Sequence, residues 1–262
     1  MSDSGLDLGR ITVHRKGSGP ALVLLHCLGV DHRLWDIAAA GLERDFTLLT
    51  YDFPGHGATP VPAQGYGVAQ LSAQLARLLE REGIGRAHLG GISLGGLVAQ
   101  HFAATYPDRV DRLLRLDMTP RYTDEMRQMW VERARQAREQ GVASLLDSLL
   151  PVWFTPEFIS AEPPAVRYVR ECFAGDSGEG YALACDALRT ADLRPLAPNI
   201  KAPTLIVCGD QESPVFQEAA RWLESNIRGA RLAFLSPARH ASVLEQPAEF
   251  VRIARDFLTG SP

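Results

Sequence analysis

The sequence predicts an α/β fold: a mostly parallel central sheet flanked by helices, with a helical cap inserted between core strands. Three observations predict it. Short apolar runs alternate with helix-length segments, the pattern of strands joined by helical crossovers. Several of those runs are nearly continuous in apolar residues, as strands covered on both faces require. One long stretch, roughly Tyr122 to Asp192, breaks the alternation and holds no strand-like run.

The expected strands are Ile11–Arg15, Ala21–His26, Thr47–Tyr51, Ala87–Gly90, Arg112–Asp117, Thr204–Cys208 and Arg231–Leu235. Among the helices, Val68–Arg81 carries Leu71, Leu75, Leu78 and Leu79 on one stripe. Leu97–Thr105 follows a glycine-rich turn, and Pro107 marks its end. Phe216–Ser225 and Pro247–Leu258 complete the core set. The atypical stretch reads as amphipathic helices over Asp124–Gln140, Val142–Leu150, Ala165–Phe173 and Gly180–Thr190. Pro151, Pro156, Pro163 and Pro164 and the glycines of 175–180 punctuate them. The expected division is a core of residues 1–120 and 195–262 and a cap of residues 121–194.

Bulk composition fits one such domain. The chain has 262 residues, 46% of them apolar and 22% charged, which excludes a disordered chain. A net charge of -4 gives no reason to expect nucleic acid or an anionic membrane as partner. Arg133, Arg135 and Arg138 are interleaved with Glu132 and Glu139, as on a solvated helix face. Met1–Gly5 lacks the basic and apolar regions of a secretory signal. No apolar run reaches the ~18–20 residues of a spanning helix. Cys27, Cys172, Cys185 and Cys208 show no CxxC spacing, so reduced thiols in a cytoplasmic protein are expected, without a metal site.

Gly91-Ile92-Ser93-Leu94-Gly95 has the G-x-S-x-G pattern, after an expected strand and before an expected helix. A sharp strand-to-helix turn strains the serine backbone and exposes its hydroxyl. Close backbone approach calls for glycine on either side. The helix N-terminus then points at a developing oxyanion, with the Leu94 N–H as one donor. Ser93 is thus the candidate nucleophile. It needs a base. Of seven histidines only His101 and His240 follow it, and His240 lies in the loop after the last strand. The acid that orients the imidazole has three candidates at strand ends: Asp210, Glu212 and Asp117. The second oxyanion donor is expected from the loop His26-Cys27-Leu28-Gly29, at the Leu28 N–H, with Cys27 next and His26 bracing the loop. Cys27 has no elbow around it and is not taken as the nucleophile.

Beyond these motifs, the chain resembles the α/β-hydrolase superfamily over essentially its whole length, and within it the 3-oxoadipate enol-lactonases. The resemblance rests on the run from Leu24 to Asp36, on Tyr51-Asp52-Phe53-Pro54-Gly55-His56-Gly57, and on the elbow with Gly96. Val110-Asp111-Arg112-Leu113, Trp153-Phe154-Thr155-Pro156 and the run from Ala187 to Leu193 extend it. It implies an α/β-hydrolase fold in which Ser93 attacks a lactone carbonyl, His240 shuttles the proton, and Leu28 and Leu94 hold the oxyanion. The family's acid ends a G-x-x-D motif. Glu212 stands at that position here, a departure from aspartate, and His26-Cys27 departs as well. No metal or organic cofactor is implied. The expected substrate is a small ester or lactone. Trp130, Arg133, Trp153 and Phe154 are the candidate pocket residues, Arg133 to meet a substrate carboxylate. A broad carboxylesterase and a non-catalytic small-ligand receptor are the competing readings.

Overall fold

The computed structural model describes Leu6 and residues 10–260. The Met1–Gly5 segment read for a secretory signal lies outside the described residues. So do the extreme ends of the expected core.

The strands are β1 (His14–Lys16), β2 (Ala21–Leu25), β3 (Thr47–Thr50), β4 (Ala87–Ile92), β5 (Val110–Leu116), β6 (Thr204–Gly209) and β7 (Arg231–Leu235). Among the described residues they form one seven-stranded sheet in the order β1-β3-β2-β4-β5-β6-β7. Only β1 runs antiparallel to its neighbour. β4 and β6 are buried throughout, which is why they read as unbroken apolar runs. The edge strand β1 is exposed over its whole length. The expected strand Ile11–Arg15 is displaced here. Ile11 is buried as core, but pairing with β3 runs through His14, Arg15 and Lys16.

The helices are α1 (Leu34–Ala38), α2 (Val68–Arg81), α3 (Leu94–Thr105), α4 (Asp124–Gln140), α5 (Leu146–Trp153), α6 (Pro156–Ser160), α7 (Pro164–Gly175), α8 (Gly178–Thr190), α9 (Pro214–Asn226), α10 (Ser242–Glu245) and α11 (Pro247–Thr259). The stripe of α2 is buried as its spacing predicts. Two prolines read as punctuation sit elsewhere. Pro156 opens α6 at a position where no helical N–H is needed, and Pro151 lies inside α5. The expected helix Val142–Leu150 is instead a 3-10 turn over Val142–Leu145 followed by α5. No helix among the described residues is long and apolar enough to cross a membrane.

Helices α4 to α8 lie between β5 and β6 in the chain. The two ends of this insert meet in an antiparallel bridge between Arg121 and Asp192, and Leu193 N–H donates to the Pro120 carbonyl at 2.8 Å. Its seam with the core is tight. A side chain on Gly180 of α8 would strike the backbone of Gly55, and one on Gly55 would strike Gly180. The chain visits β3 on one side of β2 and β4 on the other, so the connections diverge beside β2. Such a switch point leaves a crevice at the carboxyl ends of the strands. The loops after β2, β4, β5, β6 and β7 all open at that end because the strands are parallel.

Candidate active site

Ser93 sits between β4 and α3 with φ +52 and ψ −114, a region that non-glycine residues enter rarely. Its backbone is held from both sides. Ser93 N–H donates to the Leu116 carbonyl at 2.9 Å, and its own carbonyl accepts from Leu97 N–H at 3.0 Å. The flanking glycines are required by contact. A methyl on Gly91 would strike the Gly95 backbone, and one on Gly95 would strike the Leu25 carbonyl. Because α3 begins at Leu94, three residues before the expected start, the Leu94 N–H belongs to the first turn, whose amides have no acceptor within the helix.

The loop after β2 is fixed by His26, which is fully buried. Its Nε2 accepts from Phe53 N–H at 2.9 Å, so the ring proton is on Nδ1, which donates to the Cys27 carbonyl at 2.7 Å. Burial, helped by neighbouring His56, lowers its pKa to about 4, so the ring is a neutral brace. Leu28, two residues on, faces the same cavity as Ser93.

The three carboxylates at the strand ends separate by what they touch. Glu212 Oε2 accepts from His240 Nδ1 at 2.5 Å, and its Oε1 accepts from Ser213 N–H at 2.7 Å. Asp210 instead holds the loop after β7, through Ser236 Oγ at 2.5 Å and Ala238 N–H at 3.0 Å. Asp117, with φ +42, accepts from Gly209 N–H at 2.9 Å and lies 2.5 Å from Ser242 Oγ. Burial, reinforced by the charge of Glu212, pushes Asp117 up to about 8. Burial alone would lower the pKa of His240, but the charge and hydrogen bond of Glu212 outweigh it and the pKa is raised. His101, the other histidine after Ser93, lies in α3 with its Nδ1 3.3 Å from Thr105 Oγ1.

The His240 loop is also tied to the insert. Ala241 N–H donates to the Trp153 carbonyl at 2.9 Å. The buried Glu245 carboxylate accepts from Arg239 N–H at 2.6 Å through one oxygen. Its other oxygen accepts from Thr155 N–H at 2.9 Å and Thr155 Oγ1 at 2.7 Å.

Ser93, His240 and Glu212 share the wall of one cavity of about 220 Å³ with Cys27 and Leu28. The insert supplies the opposite wall, including Trp130, Arg133 and Trp153. Arg133 thus leaves the solvated face expected of its run, and its guanidinium lies 4.9 Å over the Trp130 ring. Arg135 and Arg138 do remain on an exposed, ion-paired face. Phe154 corrects the expectation of a pocket role: it is fully buried and stacked on Phe158 at 5.3 Å, away from the cavity. Seven further lining residues were not anticipated, among them Tyr122, Met126, Met129 and Phe216. For two of them a signal exists, because Met126, Met129, Trp130 and Arg133 follow the i, i+3, i+4, i+7 spacing of one helix face.

The residues 20–247 match the family model described as the alpha/beta hydrolase fold. This chain belongs to the α/β-hydrolase family. Among curated relatives it is 33% identical to 3-oxoadipate enol-lactonase 2 of Acinetobacter baylyi, covering 88% of this chain and 85% of that protein. It is 30% identical to a pimeloyl-[acyl-carrier protein] methyl ester esterase of Chromobacterium violaceum, covering 94% of this chain and 97% of that one. The crystal structure of the enol-lactonase from Burkholderia xenovorans LB400 superposes with a TM-score of 0.90 at 35% identity, covering 95% and 96% of the two chains. As an α/β-hydrolase of the esterase and lactonase branch, the chain carries its polar cluster where the fold opens its crevice.

One other group of described residues could offer metal ligands: Asp31, His32 and Asp52, with ligand atoms within 4.8 Å of one another. Its oxygens are already engaged. Arg33 binds both oxygens of Asp31, and Asp52 accepts from His32 N–H, His32 Nδ1 and Ala58 N–H. The group therefore braces the loops after β2 and β3.

Proposed function

We propose that this protein is a serine hydrolase that opens a small carboxylated lactone, of the 3-oxoadipate enol-lactone kind, through an acyl-enzyme. The observation that carries the reading is Ser93 in a strained strand-to-helix turn, sharing a cavity wall with a histidine whose far nitrogen is bonded to a carboxylate. His240 Nε2 takes the proton as Ser93 Oγ attacks the carbonyl carbon. The Leu28 and Leu94 N–H groups receive the negative oxygen, a contribution worth ~3 kcal/mol per donor in related chemistry. The ring C–O bond then breaks, and His240 returns the proton to the leaving oxygen. Water attacks the acyl-enzyme with His240 again as base, freeing the acid and restoring the serine. Glu212 keeps the ring in the tautomer with its proton on Nδ1 and stabilises the imidazolium. Trp130, Arg133 and Trp153 bind the substrate, with Arg133 pairing with its carboxylate. The insert acts as the cap that sets specificity.

A fluorophosphonate should label Ser93, and Ser93→Ala should abolish the adduct. An unlabelled Ser93 would remove the hydrolase reading. A panel of carboxylated lactones and simple aryl esters then tests the substrate class, and failure to open any carboxylated lactone defeats the lactonase reading. Hydrolysis of simple esters is the second reading, favoured by the mainly apolar wall of Met126, Met129, Val152 and Phe216 and by the similarity to a methyl ester esterase.

A further inference from the structure

Asp117 is a buried carboxyl group that acyl transfer does not use. It stands at the end of β5 with φ +42, a left-handed conformation that aspartate seldom adopts. Burying a carboxyl and straining its backbone both cost stability, and such costs gather at functional sites.

The end of β5 reaches all three loops that carry the reacting groups. Leu116, the residue before Asp117, accepts through its carbonyl from Ser93 N–H at 2.9 Å. Asp117 Oδ1 accepts from Gly209 N–H at 2.9 Å, three residues before Glu212. Asp117 Oδ2 lies 2.5 Å from Ser242 Oγ, two residues after His240. The Asp117 N–H donates to the Val207 carbonyl of β6 at 2.9 Å, which anchors the residue itself to the sheet.

His240 is bracketed by such bonds. Before it in the chain, Asp210 binds Ser236 and Ala238. After it, the Ala241 N–H bond goes to Trp153 of the insert, whereas the Ser242 bond goes to the sheet. Burial, reinforced by the charge of Glu212, keeps the Asp117 carboxyl protonated at neutral pH. It then offers one donor and one acceptor, as an asparagine amide would.

We propose that Asp117 is a positioning residue for the hydrolase reaction: it sets the spacing of His240 and Glu212 by clamping Gly209 and Ser242 to the end of β5. It acts through those two loops and touches no reacting atom. The proposal rests on the hydrolase reading above, in which Glu212 orients the His240 imidazole. Glutamate has one more rotatable bond than aspartate, so its carboxylate meets the imidazole only if the two loops are held at a set distance.

The test measures p-nitrophenyl butyrate hydrolysis per Ser93 site titrated with fluorophosphonate, so that only folded enzyme is counted. Asp117→Gly removes both bonds and leaves a residue at ease with positive φ. It should lower kcat by about 10- to 100-fold, the loss that an ångström of misplacement brings, while KM moves by less than about threefold. Asp117→Asn keeps both bonds, tolerates the same backbone, and should hold kcat within about threefold of native. Ser242→Ala breaks one arm and should lower kcat by a smaller factor; it decides the matter if Asp117→Gly does not fold. In a Glu212→Gln background, Asp117→Gly should cost less than about threefold, because the spacing it sets no longer serves a carboxylate. Native kcat in folded Asp117→Gly or in Ser242→Ala, a failure of Asp117→Asn to keep activity, or equal losses in the native and Glu212→Gln backgrounds would overturn the proposal and leave the hydrolase reading intact. A native protein that cleaves no ester and whose Ser93 takes no fluorophosphonate would remove both.

Discussion

Glu212 Oε2 lies 2.5 Å from His240 Nδ1, while Asp117, the other carboxylate buried beside it, touches Gly209 and Ser242 instead. Glu212→Gln should therefore lower kcat by about 10³–10⁴, as loss of a tautomer-fixing carboxylate does elsewhere. Asp117→Asn should cost at least about a hundredfold less. Steady-state kinetics on the two purified variants decide it, and the reverse ranking would assign the acid to Asp117. The same Glu212 variant should move the acidic limb of kcat/KM to lower pH. Burial lowers the His240 pKa and Glu212 raises it past the ordinary value, so removing the charge lets the ring deprotonate earlier.

Asp117 gives a separate prediction for stability. Its folded pKa is raised from the ordinary 3.8 to about 8, so the folded state binds this proton more tightly than the unfolded chain. Its contribution is fully present below the unfolded value and is lost as pH climbs through the folded one. Asp117→Asn does not titrate. The Tm of the variant minus that of the native protein should rise between about pH 4 and pH 8 and level off above. A difference that stays flat over this window would mean that Asp117 is ionised in the fold.

Arg133→Gln tests charge recognition. The guanidinium faces the cavity from α4 over the Trp130 ring. KM for a carboxylated lactone should rise by about 10- to 100-fold, and by less for an uncharged aryl ester. Equal changes for both substrates would show that Arg133 does not read the carboxylate.

Glu245 serves two segments at once, accepting from Thr155 in the insert and from Arg239 beside His240. Glu245→Ala strands these buried donors and should lower unfolding stability by roughly 2–4 kcal/mol in urea. Because Arg239 adjoins His240, kcat should fall as well, with KM changing less. Native kcat in the folded variant would show that the loop keeps its place without this carboxylate.

Much of this was legible in the sequence where one local rule governs. The leucine stripe gave α2 its limits, and G-x-S-x-G placed Ser93, because each is written in the spacing of a few neighbouring residues. Chain order singled out His240, and the resemblance to the family's G-x-x-D motif, not position alone, favoured Glu212 over Asp210. Legibility failed where burial and hydrogen bonding part company. Ile11 is core without being strand, and exposed His14 is strand without being core. It failed again at the prolines, since Pro156 starts a helix as readily as it ends one. Phe154 and Tyr122 changed places as pocket residues because the docking of the insert on the core is set by distant contacts such as Gly55 against Gly180. Nothing in either local sequence encodes that contact.

The bond from Ala241 N–H to the Trp153 carbonyl, with Glu245 beside it, bears on how the enzyme cycles. A lid on a free hinge could lift away and leave the reacting groups assembled and wet. Here α5 cannot lift far without breaking these bonds or drawing the imidazole out of register. On the proposed mechanism, opening and disarming become one event, so solvent admitted with an incoming substrate meets a serine whose base is out of position.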